Sequence, residues 1–256
     1  MEEGHKGMHK VIETIQRTGT VTGRSGKTHK LLCPQKRLEG MFLYNLIRAD
    51  AAVAKTLEIG CAQGLSSLHI CAATEDRENA WHTIIDPHQN THWNSAGITN
   101  LDTAGLDSFD LIDKKSEFAL PELLQREEAQ FDLVLVNGWH TFDHALVDCF
   151  YATRLLRLGG YLVLDSVALS SLQRLVDLLN KWPCYEEFAS IRKPLRRSAL
   201  KQWLLPFLKH LQADTWSSVL PSPLYKTLFR DDATKMVAFI KSDLDQRGSG
   251  WHDERF

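Results

Sequence analysis

Thr56-Leu57-Glu58-Ile59-Gly60-Cys61-Ala62-Gln63-Gly64-Leu65-Ser66 is the stretch on which the fold turns. An apolar run carries an acid at Glu58, and glycines follow at Gly60 and Gly64. The pattern predicts a buried strand, a tight turn and the start of a helix. A side chain at either glycine would hold the backbone away from a ligand. The helix that starts after Gly64 presents unpaired N–H groups and a positive dipole end. Glu58 offers two acceptor oxygens, suited to a cationic or hydroxyl-bearing ligand. The plainer alternative is a helix packed closely on a strand, with no ligand. A dinucleotide turn would place glycine at 60, 62 and 65, where the chain has Gly60, Ala62 and Leu65, so NAD and FAD are disfavoured.

Outward from this stretch, apolar strand candidates fall at 55–60, 80–86, 109–113, 131–137, 161–165, 184–191 and 235–240. Helical patterns occupy 36–53, 65–75, 117–128, 143–157 and 168–181, the first with Leu38, Phe42, Leu46 and Ile47 on one face. Strands alternating with helices predict an α/β fold, a doubly wound and mostly parallel sheet covered on both faces. Gly159-Gly160 suits a helix C-cap and the turn into the next strand.

Residues 31–245 read as a single domain, flanked by a polar arm over 1–30 and a tail over 246–256. Gly23-Arg24-Ser25-Gly26-Lys27-Thr28 has the look of a P-loop but lacks the glycine spacing and the preceding strand, so it is expected to be a loop in the arm. The segment 192–232 interrupts the alternation. Arg192, Lys193, Arg196, Arg197 and Lys201 make it basic, and Trp203, Leu204, Phe207 and Leu208 follow at helical spacing. A substrate lid, a homodimer element and a plain surface helix all remain open for it.

The 256 residues carry 43% hydrophobic content, enough for one sizeable core. A formal net charge of −2 gives no sign of a nucleic-acid partner. No apolar run approaches a membrane span, and residues 1–10 lack the apolar centre of a secretory signal. Five cysteines without a C-x-x-C pair suit a reducing, cytoplasmic setting and no structural zinc.

The E-x-G-x-x-x-G pattern at Glu58, Gly60 and Gly64 resembles motif I of class I S-adenosylmethionine-dependent methyltransferases. Asp86, which closes the second strand, stands where that family holds the ribose diol. Lys115-Ser116-Glu117-Phe118-Ala119-Leu120-Pro121 is similar to the segment that flanks the adenine, with Ser116 matching and Lys115 departing. Phe131-Asp132-Leu133-Val134-Leu135-Val136-Asn137-Gly138-Trp139-His140 resembles F-D-x-x-x-x-D-G-x-H of macrocin-type sugar enzymes, and the matching stretch of catechol-type O-methyltransferases. The resemblance spans about residues 36–240. It implies a seven-stranded sheet and S-adenosyl-L-methionine held by Glu58, Gly60, Ala62, Gly64, Ser66, Asp86, Ser116 and Asn137.

It also implies methyl transfer to a hydroxyl of a small-molecule acceptor, with His140 at the general-base position and Asn137 beside it. Histidine suits proton removal near neutral pH. Metal-dependent members place carboxylates where this chain has Asn137, Asp165 and Ser166. Magnesium prefers hard carboxylate ligands, so Asn137 and Asp165 are weak metal candidates and a divalent metal is not expected. His144, and the pair His88 and His92, repeat an i, i+4 spacing without a convincing third ligand. Methylation of a small amine or peptide, or a regulatory protein that binds the cofactor without turnover, are the alternatives.

Overall fold

The computed structural model describes residues 2–32, 37–126, 130–194, 232–248 and 251. Its centre is a seven-stranded sheet. In chain order the strands are β3 (Lys55–Ile59), β4 (Trp81–Ile85), β5 (Phe109–Ile112), β6 (Phe131–Val136), β7 (Leu156–Asp165), β8 (Tyr185–Pro194) and β9 (Asp232–Lys241). Their spatial order is β5-β4-β3-β6-β7-β9-β8. All neighbours are parallel except those of β9, which runs antiparallel to both β7 and β8. The strand order reverses between β3 and β6, so the crevice beyond their carboxyl ends is the natural ligand site.

The strands are apolar because both faces are covered. Along β6, Val134 and Val136 join a core with Leu57, Leu120, Cys149, Leu162 and Leu175. Their neighbours Leu133 and Leu135 point the other way, onto Leu43, Ile47 and Ile70. Helices α5 (Ser116–Leu124), α6 (Phe142–Leu155) and α7 (Ser170–Leu179) cover the first face. Helices α2 (Arg37–Ala49) and α3 (Leu65–Thr74) cover the second. In α2 the buried face is Leu43, Leu46 and Ile47, whereas Leu38 is exposed, so the stripe is rotated from the expected one.

The segment 1–30 is not an arm. Residues Glu2–Thr18 form helix α1, and β1 (Thr20–Thr22) pairs antiparallel with β2 (Thr28–Lys30). Ile12, Ile15, Val21 and Leu31 are buried with Leu68 of α3, Ile84 of β4 and Leu101 of α4 (Ala96–Thr103). The Gly23–Thr28 stretch is the hairpin turn, tied to the post-β4 loop where Arg24 N–H donates to Asn94 O at 2.8 Å. Gly159-Gly160 also departs from expectation: α6 ends at Leu155, and both glycines lie inside β7, with Gly159 at φ 74°. Most of the 192–232 segment, residues 195–231, lies outside the described residues, and so does the lid or dimer element expected there.

Candidate active site

The β3–α3 turn is built from left-handed backbone: Gly60 at φ 89°, Ala62 at 49° and Gly64 at 81°. A Cβ on Gly60 would sit 2.5 Å from Asn137 O, and one on Gly64 would sit 2.7 Å from Gly97 Cα. Both glycines therefore let protein backbones close on each other, and Gly60 also lines the cleft. The Asn137 side chain then locks the turn, its Nδ2 donating to Gly60 O at 3.0 Å.

Asp86 occupies the position an anionic ligand would take. Its Oδ2 accepts from Ala62 N–H at 2.8 Å, Cys61 N–H at 3.2 Å and Gln89 Nε2 at 3.0 Å. Its Oδ1 accepts from His88 N–H at 2.8 Å. Oδ2 is filled by three donors, whereas Oδ1 holds one and keeps room for a further donor. Asp86 therefore braces the turn and also lines the cleft. The same bonds fill the N–H pair that a dinucleotide loop would turn to phosphate.

Glu58 is also a brace. It is fully buried and accepts from the hydroxyls of Ser66 and Ser67 and from His82 Nε2. His82 Nδ1 lies 2.8 Å from Thr56 Oγ1. The network pins the first turn of α3 to β3 and β4, and neither Glu58, Gly64 nor Ser66 borders the cleft. Burial, and then Glu58, push the Cys61 thiol well above its usual range, so it stays protonated.

The cleft measures about 420 Å³ and opens beyond β3, β4 and β6. Gly60 and Ala62 floor one end, and Ser116 and Glu117 border the first turn of α5. Asn137, Gly138, Trp139 and His140 border the β6–α6 side. Five expected site residues meet here with His140: Gly60, Ala62, Asp86, Ser116 and Asn137. Ser171 Oγ donates to His140 O at 2.6 Å, so α7 fixes the backbone that carries the imidazole. His144, also in the wall, has Nδ1 2.8 Å from Thr141 Oγ1 and lies 5.1 Å from the Trp139 ring. Asp165 is buried at the end of β7, next to the end of β6 that carries Asn137, and is not among the residues lining the cleft. Among the described residues, no group of three His, Cys, Asp or Glu stands together to hold a metal.

Sequence reasoning missed His88, Trp93 and Trp139 as walls and Asp148 as a buried neighbour. Trp93 lies in a loop without periodicity, and Asp148 reads as an ordinary polar position of α6. Burial pushes the Asp148 carboxyl up to about 6, with the Ser116 hydroxyl acting in the opposite direction.

Residues 57–167 match a family model described as a methyltransferase domain. The match covers β3 to β7 and every residue of the cleft wall. No curated protein matches the chain. Solved structures share its fold. The O-methyltransferase from Bacillus cereus in complex with SAH has 12% identity and a TM-score of 0.59, with 92% of this chain and 91% of that one covered. Cofactor-bound Rv0187 from MTB has 14% identity and a TM-score of 0.58, covering 92% and 90%. The O-methyltransferase TomG from Streptomyces achromogenes, in complex with SAM, has 16% identity and a TM-score of 0.57, covering 92% and 89%. The observed seven-stranded order is that of a Rossmann-like methyltransferase domain, as the sequence led us to expect.

Proposed function

We propose that this methyltransferase domain carries the methyl group of S-adenosyl-L-methionine to a hydroxyl of a small-molecule acceptor. One observation carries the reading: Gly60, Ala62, Ser116, Asn137 and His140, far apart in the chain, border a single cleft at the switch point of the sheet. When bound, the cofactor supplies an electrophilic sulfonium methyl. The cleft suits such a group. The turn's own N–H donors are already bonded to Asp86, so the loop offers no cradle for pyrophosphate. Trp93 and Trp139 offer aromatic faces, which attract cations.

The protein's part is to hold and orient. Asn137 and Asp86 keep the turn rigid. His140 accepts the acceptor's hydroxyl proton, raising the oxygen's nucleophilicity as it approaches the methyl carbon in line. His144, one of two further imidazoles in the wall with His88, is engaged with Thr141 and Trp139. Asn137 and Asp165 offer one amide and one carboxylate, a poor donor set for magnesium, and we propose turnover without a divalent metal. Four buried free cysteines, Cys61, Cys71, Cys149 and Cys184, support a reducing, cytoplasmic setting. No helix among the described residues is long and apolar enough to cross a membrane.

The test is calorimetry with S-adenosylhomocysteine (SAH), followed by label transfer from S-adenosyl-L-methionine to a panel of small hydroxyl compounds. Saturable binding and a labelled ether are expected. A folded protein that shows no saturable binding rejects the cofactor. Binding without transfer to any hydroxyl, but with transfer to amines, moves the assignment to nitrogen.

A further inference from the structure

The N-terminal hairpin is fastened to two loops that border the cleft, the β3–α3 turn and the loop after β4. At its base, the Gln63 side chain brackets the chain that leaves β2. Its Oε1 accepts from Leu32 N–H at 2.9 Å, and its Nε2 donates to Lys30 O at 2.9 Å. At its tip, Arg24 N–H donates to Asn94 O at 2.8 Å, and Asn94 Nδ2 donates to Ser25 Oγ at 2.6 Å. The approach is close: a Cβ on Gly23 would lie 2.4 Å from Asn94 Nδ2 and 2.6 Å from Asn94 O. Glycine at 23 is therefore what lets the tip seat on the loop.

Asn94 and Ser95 are both left-handed, at φ 50° and 51°. Two successive residues with side chains in that region cost free energy and persist only where the surroundings hold them. Part of the restraint is local. Ser95 N–H donates to Gln89 O at 2.6 Å, and Ser95 Oγ donates to Asn90 Oδ1 at 3.0 Å. The hairpin adds the rest through the carbonyl and the amide of Asn94. The left-handed pair turns the chain directly after Trp93, whose N–H donates to His88 O at 3.0 Å. Trp93 and His88 both line the cleft, whereas Gly23, Gln63 and Asn94 do not.

We propose that the β1–β2 hairpin is a positioning element for the cleft. Gln63 holds its base, Asn94 holds its tip, and together they keep the left-handed turn that aims Trp93 at the bound ligand. This rests on the reading above in one respect, that the ligand is S-adenosyl-L-methionine.

The experiment is a double-mutant cycle of Gly23→Ala and Trp93→Leu in the full-length protein. Gly23→Ala drives a wedge between the hairpin and the Asn94 backbone without touching the cleft. Calorimetry should show the Kd for SAH raised roughly three- to tenfold, the effect of one well-placed aromatic contact. In the Trp93→Leu background the same wedge should change the Kd by less than about twofold. A hairpin that served stability alone would lower the melting temperature and leave the Kd unchanged, which overturns the proposal. Equal weakening in both backgrounds also overturns it. A ligand-free arm measures acrylamide quenching of tryptophan emission. Gly23→Ala should raise the quenching, and the rise should be absent in the Trp93→Leu background. No rise, or a rise that persists without Trp93, overturns the proposal. If the folded wild type binds no SAH, the cofactor reading fails separately, and the quenching arm decides the role of the hairpin. If Gly23→Ala fails to fold, Ser25→Ala removes only the exposed acceptor of Asn94 Nδ2 and is judged by the same two arms.

Discussion

At the scale of single residues, the same chemistry that suits a side chain to a ligand suits it to hold its own backbone. Glu58, Asp86 and Gly64 all have the right type and spacing for the cofactor roles the sequence implied. The fold gives Glu58 to two serines and His82, Asp86 to four donors, and Gly64 to Gly97. Residue type was legible, whereas the partner depended on contacts across the sheet that no local window contains. Gly60→Val therefore tests packing. At φ 89° and with Asn137 O 2.5 Å from the new Cβ, the variant should lose several kcal/mol and be recovered largely insoluble, not merely blind to cofactor. A folded Gly60→Val with a wild-type melting curve would show that the turn can relax. Asp148 makes a second prediction, through pH. Its carboxyl moves from 3.8 to about 6 on folding, mainly by burial, with Ser116 and His144 acting against the shift and Glu117 adding to it. The fold therefore favours the neutral form. The penalty is absent below about pH 4, grows between about pH 4 and 6, and is complete above about pH 6, on the order of 3 kcal/mol. Asp148→Asn removes the charge. Its advantage over wild type in ligand-free urea unfolding should be near zero at about pH 4 and close to that full value at about pH 7. An advantage independent of pH would mean that the carboxyl is not desolvated.

At the scale of elements, the strands were legible and several short or polar elements were not. All seven sheet strands fall where apolar runs predicted them, because burial on both faces leaves a continuous signal. Helix α1 was hidden by its polar composition, since few apolar side chains such as Ile12 and Ile15 suffice to dock it. Helix α4, Ala96–Thr103, is too short for a clear period. The proposed chemistry falls on β6, its turn and α6. Strand β6 points its carboxyl end at the cleft, and Ser171 ties the His140 carbonyl down. His140→Ala should lower kcat by on the order of 10²–10⁴-fold, the range for loss of a general base, with SAH affinity within about threefold of wild type. The acidic limb of the pH–rate profile should vanish with the imidazole. Near-normal kcat with the same limb would move the role to His144. Chelation is a check on the same turn. Asn137 gives its Nδ2 to Gly60 O, and Asp165 is the one carboxylate beside it on the neighbouring strand, so turnover should survive EDTA. Loss of activity with EDTA and its return with Mg²⁺ would reinstate the two as ligands.

At the scale of the whole molecule, one cleft is assembled from four loops that follow β3, β4, β5 and β6. The parallel sheet sets this convergence, because every right-handed crossover returns its strand end to the same edge. The sequence could place the cleft there once the fold was inferred, yet it could not say which side chains turn inward. Trp93, for example, enters by way of a loop bound to the N-terminal hairpin through Asn94. A ligand that bridges four loops must stabilise them together. SAH at one hundred times its Kd should add about 2.7 kcal/mol to stability. For a domain of this size that corresponds to a rise in Tm of roughly 5–10 °C. Hydrogen exchange should locate the gain. Amides in 60–66, 86–95, 115–118 and 137–144 should slow in parallel, while those of β8 and β9, on the far edge of the sheet, should keep their rates. Protection confined to one loop would mean that the ligand does not span the switch point. Equal protection of β8 and β9 would point to global tightening and leave the cleft without a claim to the cofactor.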